Sequence, residues 1–171
     1  MNLKSRQTLI LILLNVFLLS ACNDRNTQSQ DSNGQNVTKG QIQDSLNSIV
    51  QVVFKNSEQL NLEMALTPFL TTNDFFFISN GQPLTFQTLK KSESEYFSGL
   101  KKQSFNFTYK NFDIINQDNA IVNLVGTLIA IPKDGHNQKY NIAETIIFKR
   151  VNSGWKIVGG HESYVSDSTK Q

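Results

Sequence analysis

The sequence predicts an α+β fold, with about three N-terminal helices set against a curved antiparallel sheet. Three observations carry that reading. Apolar residues between Gly40 and Lys102 recur mainly at three- and four-residue spacing, the period of a one-sided helix. After Ser104 the chain turns to runs rich in Phe, Ile, Val and Thr, the residues of pleated strands. Clusters of Asn, Asp, Pro and Gly then cut this half into four segments.

The elements follow in order. Ile42, Leu46, Ile49, Val50 and Val53 form one helical stripe, and Ser57-Glu58 marks a break. Leu60, Met64 and Leu66 suggest a shorter second helix ending near Pro68. Residues 75–78 read as a strand, and Asn80-Gly81 is a strong turn signal. A third helix is expected over 86–102, turning Leu89, Tyr96, Phe97 and Leu100 inward. Strands are expected over 105–114, with a bend or bulge near Lys110 and Asn111, and over 120–131, 140–151 and 155–165. Short connections between them predict an antiparallel meander. No strand alternates cleanly between apolar and polar, so the outer sheet face is expected to be partly covered, as a second copy of the domain would do.

Ahead of the domain the pattern is different. Lys4 and Arg6 make a short positive head, residues 9–19 are apolar apart from Asn15, and Ser20 and Ala21 are small. That order is an export signal, and its apolar run is shorter than the about 20 residues a membrane span needs. It stops at Cys22, the sole cysteine. Leu19-Ser20-Ala21-Cys22 resembles the lipobox of bacterial lipoproteins at all four positions. The resemblance implies cleavage before Cys22 and acylation of its thiol, often with a further acyl group on the new amino terminus. Two or more chains anchor stably where one does so marginally. Residues 23–39 are polar and rich in Asn, Gln and Ser, a composition that cannot offset its ordering entropy. The expected organisation is a signal peptide over 1–21, a lipidated cysteine and tether over 22–39, a domain over 40–166 and a tail over 167–171. Asn23 follows the cysteine and Asp24 comes one place late for the inner-membrane retention rule. The lipoprotein pattern therefore places the chain on the outer membrane, facing the periplasm, if the cell is Gram-negative.

Composition excludes several classes. Lys4 and Arg6 lie upstream of Cys22, and without them basic side chains match the 14 acidic ones. A neutral chain lacks the electrostatic footprint of nucleic-acid binding. A lone cysteine allows no internal disulfide and no thiolate cluster. His136 and His161 are far apart with no metal-ligand spacing, so no metal or cofactor is expected. Phosphate-cradling glycine loops and the Gly-x-Ser-x-Gly nucleophile elbow are absent from the sequence. Twelve Phe residues suit an aromatic core or an aromatic-lined cavity.

A family resemblance lies in the final hairpin. Ala143-Glu144-Thr145-Ile146-Ile147-Phe148-Lys149-Arg150, Gly154, Trp155-Lys156-Ile157-Val158 and His161-Glu162-Ser163 resemble the SnoaL-like branch of the nuclear transport factor two-like superfamily. Phe69-Leu70, Phe75-Phe76-Phe77, Asn80-Gly81 and Pro83-Leu84-Thr85 resemble its first strand, turn and third-helix start. The resemblance implies a cone-shaped roll over roughly residues 42–165 with an interior pocket. That cone serves isomerases, cyclases, dehydratases and dimerisation modules alike, so it speaks to architecture only. One departure is Gly159, where branch members commonly carry a polar or second histidine side chain. Gly159-Gly160 instead suggests a bulge.

No catalytic residue is assigned, but candidates follow. If no bulge intervenes, alternation puts Trp155, Ile157, His161 and Ser163 on one face, which in the resembling family borders the pocket. His161 could then serve as a general base or polar ligand contact, against a blander role bonding within the sheet. Glu144 could be a pocket carboxylate or make a cross-strand contact. Trp155 suits a core anchor or a ligand platform. Tyr96, Tyr109 and Tyr140 could offer hydroxyls to a cavity, whereas Asp74 suits a turn and His136 a solvated loop. The leading expectation is a non-catalytic envelope lipoprotein binding a small apolar ligand or a protein partner. The alternatives are a SnoaL-like isomerase, dehydratase or cyclase using His161, and a homodimeric assembly module.

Overall fold

Thr38 opens the fold because its side chain and Gln41 cap each other. Gln41 N donates to Thr38 Oγ1 at 3.3 Å and Thr38 N donates to Gln41 Oε1 at 2.9 Å. Such a reciprocal cap satisfies two otherwise orphaned amides and contributes about 1 kcal/mol. The computed structural model describes residues 37–152 and 154–166, a single compact unit from Val37 onward. The expected signal peptide, lipidation at Cys22, the tether as far as Asn36 and the tail from 167 fall outside the described residues. Val37, the first described residue, already packs against the core.

Helix α1, Lys39–Glu58, buries Ile42, Leu46 and Val50, the stripe the spacing predicts. Burying each such side chain contributes roughly 1.5–3 kcal/mol. Helix α2, Leu62–Leu66, is short and capped by Asn61. Strands β1, Phe76–Ser79, and β2, Gln82–Leu84, close through Asn80 and Gly81, both at positive φ. Two consecutive left-handed residues are what the tightest hairpin turn requires, and Asn-Gly supplies them at least cost. Helix α3, Phe86–Gly99, ends earlier than the expected Lys102, because Leu100 is already extended and Gly99 breaks the helical run. Four long strands follow: β3, Leu100–Ile114; β4, Asn119–Pro132; β5, Gln138–Val151; and β6, Gly154–Ser166.

The strands form one curved six-stranded sheet in the order β2-β1-β6-β5-β4-β3. The meander β3 to β6 is antiparallel throughout, and β1 joins β6 in parallel. Gly159 and Gly160 make that junction possible. A Cβ at Gly159 would run into the Phe76 carbonyl, and one at Gly160 into the Thr145 carbonyl and the Phe77 ring. On β4 the inner row Ala120, Val122, Leu124, Leu128 and Ala130 is buried, and the outer row is also largely apolar. Hence the strand buries in clean alternation although its sequence does not show it.

Three register shifts interrupt the long strands, the first at Lys101 near the start of β3. The register of β3 slips again at Thr108, a little before the expected Lys110. On β6 Phe148 pairs with Ile157 and Ile147 with Gly159, so Val158 is the extra residue. An inserted residue reverses which face every later side chain occupies.

Candidate functional site

The inner sheet face and the three helices enclose a cavity of about 330 Å³. Its wall is mostly apolar, with Leu66, Phe69, Leu89 and Phe97 from the helical side and Phe105, Leu128, Ile142 and Ile157 from the sheet. Three glutamates interrupt this wall. Glu93 comes from α3, Glu144 from β5 and Glu162 from β6. Tyr96, Tyr140 and Tyr164 add phenolic groups, and Gln103 adds an amide.

Register explains the meeting of two of the acids. Glu144 on β5 stands directly opposite Glu162 on β6, and Glu162 is beside Ser79 on β1. Ser79 Oγ donates to Glu162 Oε1 at 2.6 Å. Like charges directly opposite across strands repel, so both carboxyls being ionised would be unfavourable. Each glutamate borders the cavity and so keeps some accessible surface, while protein surrounds it elsewhere and strips away bulk water. Desolvation, with a smaller push from Glu162, raises Glu93 to about 8. Desolvation also holds Glu144 well above the ordinary carboxylate range, helped by Glu162 and Glu93. Burial raises Glu162 too, against the opposing pull of the Ser79 hydroxyl and the nearby His161. Tyr96 is pushed up by burial and then by Glu93. At neutral pH the site therefore holds carboxylic acids able to donate hydrogen bonds as well as accept them.

The β6 bulge decides what became of His161. Beyond Val158, Glu162 and Tyr164 turn inward, while His161 moves to the outer face beside Thr145 and is exposed. The alternation expected without a bulge placed His161 with Ile157, and the extra residue breaks that link. Ser163 borders the cavity although it pairs with Ala143 in the outer row. Trp155 is half-buried against the core near the start of β6, away from the cavity wall. Tyr109 is 54% exposed on the outer face opposite Val125. Glu144, Tyr96 and Tyr140 do reach the cavity, whereas Asp74 and His136 are exposed.

Glu93, Glu162, Tyr164 and Gln103 escaped the sequence reading. Glu93 carried a usable signal, since it replaces an apolar residue in the stripe Phe86, Leu89, Glu93, Phe97. For Glu162 the signal was Gly159-Gly160, since a bulge there turns Glu162 rather than His161 inward. Among the described residues no group of acidic, histidine or cysteine side chains is arranged to hold a metal ion.

The profile of the SnoaL-like domain family matches residues 48–167. The chain therefore belongs to the SnoaL-like domain family. Solved structures agree on the fold. A nuclear transport factor two-like protein of Streptomyces avermitilis, provisionally described as a dehydratase, is 18% identical with a TM-score of 0.66, covering 75% of this chain and 99% of its own. A provisionally assigned scytalone dehydratase of Novosphingobium aromaticivorans is 12% identical with a TM-score of 0.65, covering 72% and 84%. A superfamily protein of Salmonella enterica is 11% identical with a TM-score of 0.66, covering 78% and 96%. No curated protein sequence matches.

Proposed function

We propose that this chain is a lipid-anchored protein of the bacterial envelope whose SnoaL-like domain holds a small, largely apolar molecule. The observation that carries the binding role is the cavity of about 330 Å³, apolar on most of its wall with a few convergent polar groups. That combination of volume and lining is the usual form of a small-molecule site. The anchor rests on the resemblance of Leu19-Ser20-Ala21-Cys22 to a lipobox, and Asn23 in place of an aspartate after Cys22 supports the outer membrane if the cell is Gram-negative. Gently extracted full-length chain, examined by native mass spectrometry, is expected to carry a small-molecule adduct. Ala65 lines the cavity and is buried, so Ala65→Phe should fill the space and lose the adduct. A wild type without adduct, or an adduct that survives the filling variant, contradicts the reading. Palmitate-analogue labelling that is the same in wild type and Cys22→Ala contradicts the anchor.

A second reading has its own observation. Glu93, raised to about 8, is suited to proton transfer near neutral pH. Structural neighbours described as dehydratases are compatible with such chemistry. Acid–base work would then fall to the cavity glutamates rather than to the exposed His161. Loss of turnover with retained binding in Glu93→Gln would favour catalysis. The outer sheet face supports a dimer, since Tyr109, Val125, Ile129, Ile147 and Val165 are exposed there. Sedimentation at micromolar concentration tests it, and a strictly monomeric species would exclude it.

A further inference from the structure

The cavity has an imbalance that its own side chains do not resolve. Its wall includes three acids and no lysine, arginine or histidine. Two of the acids, Glu144 and Glu162, face each other across a strand pair. Gln103 supplies an independent sign. It is 1% exposed, and its Nε2 donates to the Ser57 carbonyl at 2.7 Å, which fixes the amide's orientation. Its Oε1 is buried and receives no hydrogen bond among the described residues, on a side chain that lines the same cavity. Leaving a buried acceptor unsatisfied is costly, so the site calls for a donor from outside the chain.

Resting on the small-molecule reading above, we infer that the ligand is a lipophilic amine. Its ammonium lies among Glu93, Glu144 and Glu162, its apolar body lies along the Leu and Phe wall, and a second donor meets Gln103 Oε1. An ammonium brings three donors together with a positive charge, which no side chain of the cavity wall supplies. A carboxylate ligand would add a fourth acid, and a plain hydrocarbon would leave Gln103 unsatisfied. The two polar stations are well separated. The β4 partners of Gln103 and Glu144 are Ala130 and Leu124, six residues apart along that strand. At about 3.3 Å per residue this spans at most roughly 20 Å, which curvature shortens. The ligand is therefore elongated, with its polar groups toward opposite ends.

The proton balance is definite. The amine arrives as R–NH₃⁺ and meets a carboxylic acid, the acid becomes carboxylate, and one proton leaves to buffer for each acid so converted. The titratable groups facing the ammonium are Glu93, Glu144, Glu162, Tyr96, Tyr140 and Tyr164. Calorimetric titration of the full-length chain in lipid nanodiscs, blanked against empty discs, tests the inference with octylamine, octanol, octanoate and an ω-amino alcohol of equal length. Octylamine should bind about tenfold or more tighter than octanol or octanoate, the preference expected of charge-assisted hydrogen bonds. Its binding heat should vary with the ionisation enthalpy of the buffer. Glu144→Gln paired with Glu162→Gln should erase most of that preference, and Gln103→Leu should weaken the amino alcohol while sparing octylamine. If octanol or octanoate binds as well as the amine, the amine assignment falls and the cavity reading stands. If no probe binds, both fall.

Discussion

Strand β5 runs through two different interiors. Its second half carries Phe148, fully buried in one apolar cluster with Ala120, Val122 and the α1 residues Ile42, Leu46 and Val50. Its first half presents Tyr140, Ile142 and Glu144 to a cavity. The same inward alternation thus serves close packing at one end and an open, acid-bearing site at the other. Stability lives mainly in the packed end, which frees the other end to keep unfavourable groups. Raised carboxyl pKa values mark the stability given up there, a pattern typical of binding and active sites.

Truncating one buried side chain to alanine at each end sharpens this contrast most. Phe148→Ala should cost about 3–5 kcal/mol in urea unfolding, the range for a buried aromatic leaving a void. Leu128→Ala enlarges a space that already exists, so its loss should be near the lower limit for such truncations, about 2 kcal/mol. Equal losses would break the distinction.

Acid strength gives the next largest effect. Glu93 is raised from 4.5 to about 8 in the folded chain, so between those values the folded state holds a proton that the unfolded state has released. Stability is then fully present below about pH 4.5 and falls as pH rises toward 8. The unliganded wild type should show a falling Tm across that window. Glu93→Gln should flatten the slope and raise Tm at pH 8. An unchanged slope would mean that Glu93 is not shielded from water. The surface pair Lys90–Glu63, 2.9 Å apart and largely solvated, should matter least. Its removal by Glu63→Ala is expected to move stability by no more than about 0.5 kcal/mol in the same assay.

The packed end was legible in the sequence. Ile42, Leu46 and Val50 declare one helix face, Asn80-Gly81 declares its turn, and the breaks at 116–119 and 132–137 separate real strands. The short β2 and the parallel pairing of β1 with β6 were not legible, because they depend on contacts between distant segments. At the cavity end one residue controlled the outcome. Val158 is an extra step beside Gly159-Gly160, the pair that suggested a bulge without fixing its place, and it exchanges His161 for Glu162 as the side chain facing inward. Glu144 could be singled out because it interrupts Tyr140, Ile142, Ile146 and Phe148 at alternate positions on its strand. Glu93 offered the same kind of signal on a helix, and a polar residue within an apolar stripe is worth marking for that reason.

The protonation state of the cavity acids is best read from carboxyl carbon resonances. Full-length chain enriched with ¹³C at the glutamate side-chain carboxyl can be titrated by NMR, with Glu93→Gln identifying the signal. A Glu93 midpoint of about 8 is the predicted result. A midpoint near 4.5 would show a carboxylate in ordinary contact with water and would contradict the desolvated, acid-bearing cavity.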